Sequence, residues 1–488
     1  MPEERSSESR PPSALVFIAP SLPTPMLKRP ALLVVLAALF CAGAGVWYWQ
    51  RLERAEAPLP TPDELQQASL APSSEFRNAE ASITYYQDLV RRNPDATANY
   101  IALSQLYLQQ ARSTGDENRY VPLARTALEN ALRREPENFH ALALQASLFN
   151  TLHQFEQGKA AANRLLQTYP ENAYLHGVLV DATVELGQYD EAIRLADRML
   201  AFRPDLAAYS RASYLRELHG DGPGAIAAMR MAADAGQGGR DDRAWALYHL
   251  GLLYLGEGDV QKAEFIFRGI LDERPAFTRA LIGLARVRLV QNQPAEAVTL
   301  LEDAYEQVPT FDALEGLAEA YAATGNTRAA AETAQKLRKS FTDALAMGEN
   351  ANMEYADFLA DSGTPADLPG ALRLAEAEHR RRPDHLHANE TYAWLLHKSG
   401  RSREAVPYVE RAMRMDTGDA MVHYRAARIY EATGDRAKAA EHFRRALDAR
   451  LDVESVTTAA EARTALAALG APAPAATPTA GAAAPTRR

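Results

Sequence analysis

An all-α solenoid of about ten helix–turn–helix units, behind one N-terminal membrane helix, is the fold that this 488-residue chain predicts. Three observations carry that prediction. Pro136, Pro170 and Pro204 stand 34 residues apart, as do Pro275 and Pro309. Small and turn-forming residues keep phase with those prolines. A single uncharged run of 19 residues, 31–49, lies near the N-terminus.

Composition narrows the function. The chain is 47% hydrophobic and 24% charged with a mean hydropathy of -0.31, which excludes a polytopic membrane protein. Cys41 is the one cysteine, so neither a disulfide framework nor a cysteine-ligated zinc site is available. A net charge of -10 disfavours nucleic acid as a partner, because displacing counterions from phosphates needs a basic face.

Residues 1–30 are rich in Ser, Pro and Glu and are expected to be disordered. Met26 opens the basic stretch MLKRP and is an alternative start. Residues 31–49 (ALLVVLAALFCAGAGVWYW) carry no charge and no proline. At ~1.5 Å per residue they reach about 28 Å, close to the hydrocarbon thickness of a bilayer. Lys28 and Arg29 precede the run, Trp47, Tyr48 and Trp49 close it as interfacial aromatics, and Arg51 and Arg54 follow. This reads as an uncleaved signal anchor with the solenoid outside the cytoplasm. A signal peptide cleaved near Ala42, Gly43 and Ala44 and released to the periplasm is the alternative. Lipidation at Cys41 is disfavoured because Phe40 stands where a small residue is required. Pro58, Pro60, Pro62 and Pro72 make 50–73 a stiff linker, and 74–96 reads as a degenerate half-repeat cap.

The solenoid is expected over 97–453, with unit boundaries after 138, 172, 206, 243, 277, 311, 348, 385 and 419. Twelve residues before the proline position stands a small residue: Ala124, Ala192, Ala263, Ala297, Ala371, Ala405 or Ala439. Seventeen before it stands a turn glycine in four units, Gly187, Gly258, Gly400 and Gly434, and Asp259 and Asp435 follow two of these as helix caps. The small residues let two helices cross closely, and the proline starts the turn to the next unit, where it breaks no helical hydrogen bond. No unit can bury its apolar stripe alone, so the units must stack.

This pattern resembles the tetratricopeptide repeat family, most clearly in GLLYLGEGDVQKAEFIFRGILDERP (251–275) and again over 420–453. The segment 207–236 is similar to bacterial membrane-anchored proteins of that family. The resemblance covers about three-quarters of the chain. It implies a right-handed solenoid whose first helix in each unit lines a concave groove, and a scaffold that binds a protein or peptide partner.

The departures from the pattern are expected at surfaces. One unit carries an eight-residue insertion near STGDENRY (113–120), and 349–385 carries extra residues at TPADLPG. The glycines at 238 and 239 replace a proline and mark a possible joint near 237–243. Residues 454–469 read as a C-terminal capping helix, N-capped by Ser455 or Thr457, and 470–488 as a disordered Ala/Pro tail.

No phosphate-loop lysine motif, no HExxH pair and no GxSxG elbow occurs, so neither an enzyme nor a cofactor is expected. The glycines between Gly220 and Gly224 lie at an interhelical turn without a preceding strand. Within 379–397, His379, His385 and His387 gather near Glu390, and a metal or small ligand held there is the alternative function. No metal ligand set is assigned. The preferred surface is the groove implied by the resemblance. It places His387, Glu390, Trp394 and His397 on one stripe, followed by Tyr424, Arg428 and Glu431 from the next unit. Trp394 is either an exposed anchor for a peptide or a packing residue against the first helix of the adjacent unit. Asp312, Glu315, Glu319, Asp357 and Asp361 make an acidic stretch suited to a basic or amide-rich partner.

Overall fold

A computed structural model of the chain describes residues 74–470, with side chains from Glu80 onward. These lie within one compact unit, 68–488. The candidate span 31–49, the linker and the tail beyond Gly470 fall outside the described residues. Among the described residues no helix is long and apolar enough to cross a membrane.

The described residues form 23 α-helices and no strand. In chain order they open with α1 (Ser74–Arg92), α2 (Thr97–Thr114), α3 (Glu117–Arg134), α4 (Phe139–Thr151), α5 (Phe155–Leu166), α6 (Ala173–Glu185), α7 (Tyr189–Phe202) and α8 (Leu206–Leu218). Next come α9 (Gly222–Ala235), α10 (Asp241–Gly256), α11 (Val260–Glu273), α12 (Thr278–Val290), α13 (Pro294–Gln307), α14 (Phe311–Ala323) and α15 (Thr327–Ala346). The array ends with α16 (Asn352–Ser362), α17 (Leu368–Arg381), α18 (Leu386–Lys398), α19 (Ser402–Ala412), α20 (Ala420–Thr433), α21 (Arg436–Asp448), α22 (Leu451–Glu454) and α23 (Val456–Ala468).

From α2 to α21 each even-numbered helix packs antiparallel against the odd-numbered helix that follows it, and α23 closes the array against α21. The small residues read from the sequence sit at these crossings: Ala124, Ala192, Ala263, Ala297, Ala371, Ala405 and Ala439 are each 0% exposed. Phe267 shows how neighbouring units lock. Its ring is fully buried and occupies the hollows left by Gly251 of its own unit and Gly283 of the next. Asp259 and Asp435 cap their helices by accepting from the backbone N–H of Lys262 and Lys438, each at 3.1 Å. Ser455 caps α23, accepting from the Thr458 N–H at 3.2 Å.

The insertion in the first unit is not a loop. It is absorbed as added helical turns, so α2 and α3 are 18 residues each and only Gly115 and Asp116 separate them. Extra residues that continue the i→i+4 ladder leave fewer unpaired backbone groups than a loop does. The lengthened end of α2 then reaches a distant unit, where Ser113 Oγ donates to Asp241 Oδ2 at 2.5 Å.

A larger departure is the coil of the array. The Arg382 guanidinium bonds Glu185 at 3.1 Å and the Leu386 N–H donates to the Tyr189 hydroxyl at 2.9 Å, both across 197 residues. Arg414 donates to the Gly187 carbonyl at 3.0 Å, and the Asn350 N–H to the Leu152 carbonyl at 3.3 Å. A separation of 197 residues is about six 34-residue units, so successive coils of the solenoid touch along a seam. The seam has its own core: Leu386, Ala412 and Val422 are buried with Leu175, Val178 and Leu179 of the earlier coil. The first helices of the units line the concave side, as the sequence reading expected, and contact between coils makes that side an interior.

Candidate functional site

Adjacent helices α16, α18 and α20 bring several of the expected groove residues together, around a residue that reading missed. Arg425, on α20, is buried and holds Asp357 with both terminal nitrogens, at 2.6 and 3.1 Å. The same guanidinium reaches Asp361 at 2.9 Å and Glu390 at 3.2 Å. Glu390 also accepts from His387 at 3.0 Å, and Thr391 donates to Asp357 at 3.3 Å. Three carboxylates on two helices thus share one cation, in the forked geometry that arginine provides.

Trp394 takes the packed arrangement and not that of an exposed anchor. It is 5% exposed, its Nε1–H donates to Asp361 at 2.7 Å, and the Arg425 guanidinium lies 5.5 Å from its ring centroid. His397 stacks on it at 5.0 Å. The tryptophan packs α16, α18 and α20 to one another and offers no face to a peptide. Tyr424 is likewise turned inward, buried, with its hydroxyl donating to Glu461 at 2.8 Å. Arg428 and Glu431 pair with each other at 2.9 Å within one helix.

The histidines of 379–397 do separate jobs. His379 stacks on Tyr392, buried His385 caps α18 through the Ala388 N–H, and His387 pairs with Glu390. Burial pulls the His387 ring down. The Glu390 hydrogen bond, with the charges of Glu390, Asp419 and Glu185, outweighs that and raises it to about 9. Among the described residues no group of three His, Cys, Asp or Glu side chains could hold a metal ion. The geometry gives the metal alternative no ligand set.

Asp312, Glu315 and Glu319 lie on α14 and face the interior, joined there by Glu217 of α8, Asp419 at the start of α20 and Glu454 of α22. Confinement, then the charge of Asp312, pushes the Glu315 carboxyl up to about 7 against the pull of Arg286. Glu217 also rises to about 7, from confinement and then Asp419 and Glu454. Both keep exposed surface, so protein walls surround them while interior water still reaches them. Glu319 rises from burial although the Val456 N–H donates to it at 2.9 Å, and Asp419 and Glu454 rise from burial too. The interior is an acid-rich space with Arg286 as the cation most of these groups share.

A pH dependence follows. Between 4.5 and about 7 the folded chain keeps protons on Glu217 and Glu315 that the unfolded chain has released. Stability from these groups is complete below 4.5 and is lost as pH rises through 7. Glu315→Gln removes the charge and is expected to raise Tm by about 1–2 °C at pH 8 and not at pH 4.5, the effect being small because interior water screens it. Thermal melts of both proteins at the two pH values test it; an equal shift at both excludes titration as its cause.

The sequence reading missed Arg425, Arg286, Asp419, Glu454 and Glu217. Arg425 had a readable signal. It lies three residues after Val422 and four before Ile429, both 0% exposed, so it sits on an apolar stripe where a charge must be buried and paired.

Comparison with known proteins agrees with the helical pairs. Tetratricopeptide repeat family models match residues 151–218 and 254–310, 312–344, and 391–452. A cellulose synthase operon protein C of Pseudomonas fluorescens (strain SBW25) is 27% identical over 161 residues, covering 31% of this chain and 12% of that protein. The chain thus spans a small part of that relative's length. Among solved structures, the human IFIT1 dimer with m7Gppp-AAAA is 16% identical, covering 76% of this chain and 86% of that one with a TM-score of 0.41. Yeast Tom70 is 15% identical, covering 80% and 93% with a TM-score of 0.34. PilW, described as a widely conserved type IV pilus biogenesis factor, is 19% identical, covering 43% and 97% with a TM-score of 0.35. The phased small residues, the capped helix pairs and the three family matches lead to one assignment: residues 151–218, 254–310, 312–344 and 391–452 carry tetratricopeptide repeats.

Proposed function

We propose that this chain is a membrane-tethered scaffold that holds a basic or amide-rich polypeptide segment against its acidic interior, with no catalytic step of its own. The observation that carries the reading is the acidic interior itself. Asp312, Glu315 and Glu319 face it from α14 and Glu454 from α22, with Arg286 as their nearby cation, and Glu217 joins them from α8 beside Glu454 and Asp419. A positively charged segment would relieve that repulsion, and several units would contact it at once. The same field repels a phosphate backbone, so no nucleic acid is proposed.

Residues 31–49 would supply the tether and raise the partner's local concentration at the membrane, with the repeats outside the cytoplasm. Assembly of a cell-envelope complex is the setting proposed for such a tethered scaffold. The test is crosslinking of the full chain in native membranes, followed by identification of the trapped protein. Reversing charge with Asp312→Lys and Glu315→Lys is expected to cut capture at least tenfold. Undiminished capture by a folded double variant removes the acidic interior as the binding face.

A further inference from the structure

A second feature of the interior adjoins the acidic stretch and shares Glu217 with it. Helices α2, α6, α8 and α10 enclose a cavity of about 740 Å³, within the size range of small-ligand sites. One wall is apolar, formed by Leu206, Met229, Leu252, Leu253, Trp245 and Phe277. The Trp245 ring is tilted against His249 with centroids 4.1 Å apart, which makes a broad aromatic surface. Burial, then the Arg279 charge, lowers His249 to about 4, so this surface is uncharged at neutral pH. Tyr214 lines the cavity and keeps 40% of its surface exposed, so the cavity opens to solvent.

The charges of the lining are unequally matched. Arg211 holds Asp181 with two nitrogens at 2.7 and 2.6 Å. Asp241 bonds Arg274 and Ser113, and Asp242 lies 3.9 Å from Arg240. Glu217, raised to about 7, is close to half protonated at neutral pH. Arg112 is different: it lines the cavity with no carboxylate of the described residues within ion-pair distance, and confinement lowers its pKa although Tyr174 and Glu117 pull the other way. A guanidinium in a confined space without a counter-ion favours an anion beside it.

We propose that this cavity binds a flat apolar group carrying one anionic end, an aromatic carboxylate or sulfonate in chemical class. The aromatic body lies against Trp245 and the leucines, and the anion meets Arg112. The ligand is either a free aromatic acid or an aromatic side chain beside an acidic one in a peptide. This inference does not depend on the acidic stretch and stands or falls separately from it.

The test uses the full chain and two probes that differ only in charge: 1-anilinonaphthalene-8-sulfonate and neutral N-phenyl-1-naphthylamine. Fluorescence titration is expected to show one saturable site for the sulfonate. Arg112→Gln is expected to weaken the sulfonate at least tenfold and leave the neutral probe unchanged. Ala207→Trp, which fills the cavity, is expected to abolish both, with near-ultraviolet circular dichroism confirming a packed fold; Leu252→Trp replaces it if that variant does not fold. Sulfonate affinity unchanged by Arg112→Gln, or binding retained in the filled cavity, overturns the proposal. Displacement of the sulfonate by 4-phenylbutyrate, set against displacement by a capped tetrapeptide with phenylalanine beside aspartate, separates the two sources.

Discussion

Gly187→Ala is expected to destabilise the folded chain by about 3–4 kcal/mol, far more than its size implies. Gly187 ends α6 with φ of +73°, where a side chain costs about 1–2 kcal/mol. A β-carbon there would also run into the backbone of Asp384 and His385, which belong to the next coil of the solenoid. Backbone cannot rotate aside as a flexible side chain can, so the seam must part. The neighbouring bonds Arg382–Glu185, Leu386–Tyr189 and Arg414–Gly187 would loosen with it. Gly400→Ala is the control. It has φ of +78° and open space around the added carbon, and is expected to cost only about 1–2 kcal/mol. Urea midpoints of the two variants measure the difference. Equal losses would mean that the coils are not in contact at Gly187 in solution.

Arg425→Leu is expected to cost about 3–5 kcal/mol, because it leaves Asp357, Asp361 and Glu390 facing one another without their cation. Glu390 is the most exacting of the three, being buried with Arg425 and His387 as its charged partners. The loss comes from stranded charge more than from missing attraction. Adding Asp357→Asn and Glu390→Gln to Arg425→Leu is therefore expected to recover most of it. Unfolding midpoints of the single and triple variants decide this. A triple variant as unstable as the single one would assign the cost to lost packing against Trp394.

How much of this was legible in the sequence depends on range. The crossing alanines, the caps at Asp259, Asp435 and Ser455, and the turn glycines were readable because each role is set within one helix pair. The stripe of His387, Glu390 and Trp394 was readable as a stripe, but its exposure was not. Whether Trp394 meets solvent depends on how closely α16 and α20 flank α18, and its Asp361 partner is 33 residues away. Arg425 escaped because its three carboxylates lie 35 to 68 residues upstream.

The sequence by itself determined the repeating unit, its helices, their ends and the family. A 34-residue period repeats the same local instructions, and local instructions need no knowledge of distant chain. Only the tertiary structure decided that the coils touch. The coil is the sum of small rotations between units, and no single unit encodes that sum. Contact across 197 residues turned the expected concave groove into an interior. That enclosure crowds the carboxylates of distant units together and raises Glu217 and Glu315 to about 7.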